Sequence, residues 1–364
     1  MKIIRAHRIA LDVNNRQRTY FAKAAGCARF TWNWALAEWN AAHERDKTYP
    51  EANALSKKLN AIRGEQFPWM LDVSWNAQKQ VFQDLRYAFM RYFKKKSRHP
   101  VFRSKKHRDS FRADNGPPSV GADAVKVEGK RIWIPRCGWV KMREALRFKG
   151  QIKSAVVSRT AHRWFVSLAV EFDRTPERRE NQAVVGVDLG VSCFATLSTG
   201  EKVFGPRPLR AMEKRIARWS RAYTRKKDGS KNRKKATRRM ARLHARIVAL
   251  RNDCIHKLTA RLVRDFGVVA IEDLQIKGML RNRRTARSVH DMGLHRFREQ
   301  LEYKASASGC RVHTVGRFFP SSKLCSTCGV KNDDLRWQDR AWTCRCGARH
   351  DRDLNAARNL AQSA

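Results

Sequence analysis

Three carboxylates in this sequence stand where they could hold a metal ion together. Asp188 follows the apolar run 184–187, Glu272 follows the apolar run 268–271, and Asp353 lies near the start of a helical segment. In open α/β sheets, side chains at the carboxyl ends of strands meet in a crevice where ligands bind. Carboxylates that meet repel one another unless a divalent cation lies among them, and magnesium or manganese prefers such oxygen ligands. Two such ions about 4 Å apart can activate a water and stabilise the leaving oxygen in phosphodiester cleavage.

Each of these acids also has an ordinary structural interpretation. Asp188 could cap a turn, and Glu272 could pair with one of the many arginines. Asp351 and Asp353 are both suitable N-caps for the last helix of the chain. The prediction of a metal site therefore rests on the joint pattern of three acids and not on any one of them.

Four cysteines near the C-terminus have the spacing of a zinc site. They form the pairs Cys325-x-x-Cys328 and Cys344-x-Cys346, each followed by glycine. Two short pairs can close a tetrahedral zinc site with bonds of about 2.3 Å, and the alternative is four unliganded thiols. A site with four thiolates is closed to substrate, so we expect a structural zinc ion. The total of nine cysteines is odd and scattered, which disfavours a disulfide framework and indicates a reducing, cytosolic setting.

The charge of the chain predicts a nucleic-acid partner. The 364 residues include 78 Lys and Arg against 33 Asp and Glu, which gives a net charge of +45. Such a surplus strains a compact fold unless a polyanion relieves it, and this argues against an ordinary metabolic enzyme. The hydrophobic fraction of 42% argues against a disordered basic tail. A basic binding protein without chemistry stays open on composition alone, and no apolar run approaches the ~20 residues of a membrane span.

Apolar periodicity predicts the elements that must position these residues. Residues 1–12 have the pattern of a strand and residues 14–97 that of helices. Residues 124–173 alternate like strands joined by glycine turns, and a polar linker follows at 171–182. Beyond the linker the pattern becomes α/β, and one further helix is predicted around 289–308.

Two basic segments are candidate contacts for phosphate groups. The segment 99–115 is basic and rich in turn residues, and a basic tip at 225–235 joins two amphipathic helices. Residues 207–251 hold 18 Lys and Arg against 2 acids, so an adjacent phosphate backbone is favoured over a merely solvated face. The candidate contacts are Arg103, Lys105, Lys106, Arg108, Arg112, Arg225, Lys226, Lys227, Lys234 and Lys235.

Several ordered motifs resemble the TnpB (OrfB) family of transposon-encoded RNA-guided nucleases, which are ancestor-like relatives of type V CRISPR effectors. The motifs GVDLG, IEDL, CxxCG with CxCG, and HDRDLNAARNL occur here in the family's order. GRFFPSSKLCSTCG is similar to the family's central signature, and HPVFRSKKHRDSFR is similar to its N-terminal half. The resemblance spans almost the whole chain.

This resemblance implies that the C-terminal half is a nuclease. Residues 181–317 and 350–364 would form an α/β RNase H-like (RuvC) domain, with a basic helical insertion at 207–258 along nucleic acid. A zinc ribbon, residues 318–349, would be inserted before the last acid. The catalytic, magnesium- or manganese-binding triad would be Asp188, Glu272 and Asp353, and the zinc ligands would be Cys325, Cys328, Cys344 and Cys346.

The resemblance also implies that the N-terminal half recognises nucleic acid. Residues 1–12 and 98–180 would form a β-barrel (wedge) domain, interrupted by a helical recognition domain at 13–97. The protein would hold a guide RNA from the transposon end and read a short motif beside its target in double-stranded DNA. Base pairing would read the remaining target. We expect a monomer or a transient dimer on RNA, in the prokaryotic cytosol or nucleoid and not in a membrane.

Two other functions fit a similar layout. Some relatives have lost the acids and act as guide-RNA-dependent DNA-binding repressors, which the intact triad here disfavours. A protein-guided RuvC-like resolvase or transposase accessory protein would need less positive charge. The sequence therefore favours an RNA-guided, metal-dependent endonuclease.

Overall fold

A computed structural model describes residues 2–105, 108–113, 124–173, 181–336 and 338–364. The chain divides into the units Met1–Arg174 and Thr175–Ala364, each with its own buried core. Within the described ranges, no helix has the length and hydropathy needed to cross a membrane.

The first unit is built on a seven-stranded antiparallel sheet. Its strands are β1 (Lys2–Asp12), β2 (Ser110–Arg112), β3 (Lys126–Glu128), β4 (Arg131–Ile134), β5 (Gly138–Met142), β6 (Gln151–Thr160) and β7 (Arg163–Asp173). They pair in the order β2-β6-β7-β1-β5-β4-β3, so the first strand lies among strands that follow the helices in sequence. Burial alternates along β7, as expected for a strand with one face on a core. Closure of this sheet into a barrel stays a prediction.

Three α-helices separate β1 from β2. They are α1 (Asn15–Asp46), α2 (Ala52–Gln66) and α3 (Asn76–Phe93), with a 3₁₀ turn at Pro68–Asp72. A capping box of Asn14 and Gln17 starts α1 by satisfying backbone amides that have no intrahelical partner. Phe21 of α1 contacts the sheet, since its ring centroid lies 5.3 Å from that of Trp164. The aromatic residues that repeat along α1 therefore include core residues of the unit.

The second unit contains a mixed five-stranded sheet. Its strands are β8 (Val184–Leu189), β9 (Ala195–Leu197), β10 (Lys202–Val203), β11 (Val268–Glu272) and β12 (Arg311–Val315). The order is β10-β9-β8-β11-β12, in which β8, β9 and β10 are antiparallel neighbours. Strands β8, β11 and β12 run parallel to one another. Residues at the carboxyl ends of these three strands therefore share one edge of the sheet.

Among the described residues of the second unit, six helices and a hairpin accompany this sheet. They are α4 (Pro208–Thr224), α5 (Lys231–Asp265), α6 (Ile276–Arg281), α7 (Ala286–Met292), α8 (Leu294–Ser308), the strands β13 (Ala341–Thr343) and β14 (Arg349–Asp351), and α9 (Arg352–Gln362). Helices α4 and α5 pack against each other and are joined by the predicted basic tip. Helix α5 continues beyond residue 258 and buries Ile255, Leu258 and Leu262 in the core of the unit.

The helix predicted around 289–308 is in fact two helices. Gly293 separates α7 from α8 with a left-handed φ of +71°, which ends the first helix. A Cβ at this position would lie 2.7 Å from Cδ of Arg251, so the site also requires glycine for space.

Candidate active site and cysteine cluster

The sheet of the second unit brings Asp188 and Glu272 to the same edge. Strands β8 and β11 are parallel with Val187 opposite Ile271, so the next residue of each strand is one of the two acids. Asp353 lies in the first turn of α9, and α9 packs against β8. We call Asp188, Glu272 and Asp353 the acid cluster.

A glycine in β8 allows α9 to lie this close to the strand. Gly186 and Asp188 are two residues apart and therefore share one face of β8. A Cβ at Gly186 would lie only 1.9 Å from the carbonyl oxygen of Ala357 and 2.7 Å from the amide nitrogen of Ala361. The glycine of the GVDLG motif is thus a packing requirement that brings the helix of Asp353 against the strand of Asp188. The sequence analysis did not identify this role.

The three carboxylates interact electrostatically. Burial, followed by the negative charges of Glu272 and Asp353, raises the pKa of Asp188 to about 8. The nearby guanidinium groups of Arg352 and Arg340 act in the opposite direction. Burial and nearby negative charge both favour the protonated form of a carboxyl group, so a raised pKa is expected for an acid in this position. A divalent cation among the carboxylates would relieve the repulsion, so the residues present fit such an ion.

One acid next to the cluster is paired with two arginines. Asp273, next to Glu272, accepts hydrogen bonds from Arg298 at 2.7 Å and from Arg317 at 3.0 Å. These two guanidinium groups lower the pKa of Asp273, the Arg298 bond having the larger effect. The pairing separates Asp273 from the acid cluster although it is adjacent in sequence.

The acids at the start of α9 have different contacts. Asp351 is the N-cap, because its carboxylate accepts the backbone amide of Leu354 at 3.0 Å, and it also pairs with Lys202 at 2.7 Å. Asp353 lies two residues after this N-cap, in the first turn of α9, and pairs with Arg340 at 3.7 Å. Of the two acids, Asp353 is the one whose charge raises the pKa of Asp188, and its assignment to the metal site stays a prediction.

The four predicted zinc ligands come together as a cysteine cluster. Among the described residues, the ligand atoms of Cys325, Cys328, Cys344 and Cys346 all lie within 4.8 Å of one another. Sγ of Cys325 is 3.7 Å from Sγ of Cys346, and Sγ of Cys328 is 3.6 Å from Sγ of Cys344. A tetrahedron with metal–sulfur bonds of about 2.3 Å has edges of about 3.8 Å, so the spacing fits a zinc ion.

The surroundings of Cys325 favour its thiolate form. Burial alone would raise the pKa of Cys325, but backbone amides of Cys328 and Thr327 and the side chain of His350 outweigh it and lower the pKa to about 5. Nε2 of His350 lies 3.1 Å from Sγ of Cys325, and the buried His350 ring packs 4.8 Å from Trp342. The histidine therefore supports a cysteine ligand, a role that the sequence analysis did not assign.

The predicted phosphate contacts are dispersed. In the first unit, the guanidinium of Arg103 lies 3.5 Å from the ring centroid of Trp32, and Arg108 donates to Ser158 at 2.6 Å. Arg112 is half-buried in β2, Lys105 is exposed, and Lys106 lies outside the described residues. The tip residues that are exposed are Arg225, Lys227, Lys234 and Lys235, whereas Lys226 is half-buried. Contact with nucleic acid stays a prediction for all of them.

Curated relatives match this chain along nearly its whole length. A Streptomyces pristinaespiralis protein, provisionally named an RNA-guided DNA endonuclease, is 35% identical over 99% of this chain and 89% of its own length. An Escherichia coli K12 protein with a similar provisional name is 30% identical over 99% of this chain and 92% of its own length. A family described as "Probable transposase" matches residues 167–283, and one described as "Cas12f1-like, TNB domain" matches residues 295–360.

Two solved structures share the fold of this chain. The protein in a Cas12f1–sgRNA–target DNA complex superposes with a TM-score of 0.55 over 99% of both chains at 12% identity. The mini-RNA-guided endonuclease CRISPR-Cas_phi3 superposes with a TM-score of 0.51 over 100% of this chain and 92% of its own, at 9% identity. At such low identities the likeness shows a shared fold.

Proposed function

This chain belongs to the TnpB (OrfB) family of transposon-encoded proteins, and we propose that it is an RNA-guided DNA endonuclease whose acid cluster binds magnesium. The observation that supports this most directly is the placement of Asp188 and Glu272 at matching ends of adjacent parallel strands, with Asp353 on the helix packed against β8. The curated relatives carry endonuclease names, and a protein with only a binding role would have no need for three clustered acids in a chain of charge +45.

The topology of the second unit supports an RNase H-like (RuvC) nuclease domain. Two acids occupy equivalent ends of adjacent parallel strands, and the third comes from a helix packed on the first of those strands. Ligands of open α/β sheets bind at such strand ends. The acid cluster therefore lies at the carboxyl ends of the parallel strands, the position at which open α/β sheets bind ligands.

Each acid has a distinct part in holding a divalent cation. Asp188 would lose the proton that its raised pKa retains, because a cation compensates the charges of Glu272 and Asp353. The hydroxyl of Ser321 donates to Oε1 of Glu272. Asp353 is carried by the first turn of a helix whose cap, Asp351, fixes that turn. Bound magnesium supplies an activated water and stabilises the departing 3′ oxygen of a phosphodiester.

We assign a structural zinc ion to the cysteine cluster. The cluster supplies four thiolate ligands, which leaves no open position for substrate. It connects directly to the acid cluster, because β14 follows the second cysteine pair and leads into α9 without a linker. The hairpin of β13 and β14 extends to Asp351, and the boundary of the ribbon at residue 349 stays a prediction.

The charge of the chain supports simultaneous binding of a guide RNA and a DNA duplex. A net charge of +45 exceeds what short phosphate contacts require, and 18 basic residues lie on α4, α5 and the adjoining tip within 207–251. We propose that RNA from the transposon end is the guide and that base pairing selects the DNA target next to a short protein-read motif. The complex would act in the prokaryotic nucleoid as a monomer or as a transient dimer on RNA.

The decisive experiment combines RNA identification with cleavage. The full-length protein would be purified with its RNA, the RNA sequenced, and a matching DNA duplex incubated with the complex and magnesium. We expect cleavage by the native protein and none by the Asp188→Ala variant, which should retain its RNA. A matched duplex that stays intact while RNA is bound would instead support the repressor function.

A neighbouring acid provides the matched control. Asp273→Asn removes a carboxylate adjacent to Glu272, but this carboxylate is bound to Arg298 and Arg317 and is outside the acid cluster. We expect Glu272→Gln to abolish cleavage and Asp273→Asn to retain it. The reverse result would show that the wrong acid of the pair has been assigned.

A further inference from the structure

Ser321 connects the acid cluster to the segment that carries the first cysteine pair. The residue is buried, and its hydroxyl donates to Oε1 of Glu272. Its carbonyl oxygen accepts a hydrogen bond from Nδ2 of Asn359 at 2.6 Å. Ser321 thus contacts the acid at the end of β11 through its side chain and helix α9 through its backbone.

Two buried asparagines bind the following residues to α9. Asn355 and Asn359 are four residues apart, so they lie on one face of the helix. Both donate to the carbonyl oxygen of Leu324, at 2.6 and 2.7 Å, and Oδ1 of Asn355 accepts the backbone amide of Ser326 at 2.9 Å. The backbone on both sides of Cys325 is therefore fixed to the helix that carries Asp353.

The contact to Glu272 leaves part of its carboxylate available. Within the described part of the chain, Ser321 makes the one side-chain hydrogen bond to Glu272, and it uses Oε1. Oε2 and the remaining lone pair of Oε1 are free to meet a cation. A hydroxyl that holds one carboxylate oxygen selects the orientation of the whole group, as hydrogen-bonded partners of metal ligands commonly do.

We propose that Ser321 is a positioning residue for divalent metal binding, holding Glu272 in a fixed orientation relative to Asp188 and Asp353. Asn355 and Asn359 bind the backbone of the same segment, so the orientation of Glu272 depends on the folded cysteine segment. The zinc site therefore stabilises the arrangement of the metal-binding acids. The inference rests on the proposed function, because it requires the acid cluster to bind a metal ion.

Metal binding to the full-length chain, freed of nucleic acid, tests this inference without cleavage. Manganese is titrated and followed by electron paramagnetic resonance, with zinc content measured on the same samples. Ser321→Ala should weaken manganese binding by about 10-fold or more, the range found when partners of metal ligands are removed. Zinc content should not change. Ser321→Thr, which keeps the hydroxyl, should restore affinity in part.

Ser326→Ala is the matched control. It is the same substitution in the same segment, but the described hydrogen bonds of Ser326 are made by its backbone amide and carbonyl. This variant should bind manganese within about twofold of the native protein. An equal loss in both variants would overturn the role of the Ser321 hydroxyl.

Two outcomes separate this inference from the proposed function. If Asp188→Ala abolishes manganese binding while Ser321→Ala binds as tightly as the native protein, only the positioning role is refuted. If Asp188→Ala itself binds manganese normally, the acid cluster is not the metal site and the proposed function fails. Loss of zinc together with manganese in Ser321→Ala would show that the hydroxyl supports the cysteine segment and not Glu272.

Discussion

The Gly186→Ala substitution adds a single methyl group where β8 meets α9. The new Cβ would lie 1.9 Å from the carbonyl oxygen of Ala357, which is 1.5 Å short of the ordinary contact distance of 3.4 Å. It would also lie 2.7 Å from the backbone nitrogen of Ala361. Both neighbours are backbone atoms of α9, so no side-chain rotation can remove the clash. The helix must move away from the strand by about 1–1.5 Å, or the strand must distort.

This displacement should reduce both stability and cleavage. Overpacking a closely packed site commonly costs about 1–3 kcal/mol, and a backbone clash places this variant near the upper end. For a unit of this size, each kcal/mol lowers the unfolding temperature by about 2–4 °C. The movement also carries Asp353 away from Asp188, and a misplacement of about 1 Å at a reacting centre can reduce the rate about 100-fold. Cleavage should therefore fall much more than the folded fraction.

Thermal unfolding and magnesium-dependent cleavage of a matched duplex measure the two effects. Gly316→Ala is the control, because it lies just after β12, has no positive φ, and would meet no atom within 4 Å. That variant should retain the stability and the cleavage rate of the native protein. Native-like unfolding and cleavage by Gly186→Ala would refute the reasoning that contact between β8 and α9 sets the spacing of the acids.

Four further substitutions test charged residues of the second unit. Asp188→Asn should raise the unfolding temperature in magnesium-free buffer at pH 8. The pKa of Asp188 is about 8 in the folded state against an ordinary 3.8, so between these values the folded state holds a proton that the unfolded state has lost. The stability of the native protein therefore falls as the pH rises from about 4 to about 8, and the substitution removes this loss. Asp291→Ala should lower the free energy of unfolding in urea by about 3–5 kcal/mol, because it leaves Arg251 and two backbone amides of α4 without their buried carboxylate. Lys227→Gln and Lys234→Gln should each reduce the salt dependence of RNA binding, measured as the slope of log K against log salt, by about 1 if each lysine contacts a phosphate.

The acid cluster could be anticipated because its signals are local. An apolar run that ends in an acid predicts both a buried strand and the end from which the acid projects, and this holds for Asp188 and Glu272. The cysteine pairs are similarly informative, since two residues between Cys325 and Cys328 already limit the separation of their sulfur atoms. Local periodicity also predicted the α4–α5 pair, because its apolar positions recur every three or four residues.

The contacts that fix the site could not be anticipated, because they join residues far apart in the chain. Nothing in the sequence near Gly186 shows that the backbone of Ala357 lies against it. Ser321 is one serine of an adjacent pair, and nothing in the sequence distinguishes the one that is buried and contacts Glu272 and Asn359. The break at Gly293 was missed for a different reason, since a single glycine is tolerated within many helices and its left-handed φ of +71° leaves no mark on the local periodicity.

Lysine and arginine side chains pair with acids that lie next to the acid cluster. With 78 Lys and Arg available, an acid near the surface readily acquires a cation, as Asp273 does from two arginines and Asp351 does from Lys202. Those pairings hold Asp273 and Asp351 against cationic side chains, and Asp353 has a longer contact of this kind with Arg340 at 3.7 Å. Asp188 is different, because burial and two neighbouring carboxylates raise its pKa in spite of nearby arginines. In so basic a chain, an acid has a raised pKa when the fold buries it near other acids, as it does Asp188. A divalent cation is the partner that such an arrangement favours.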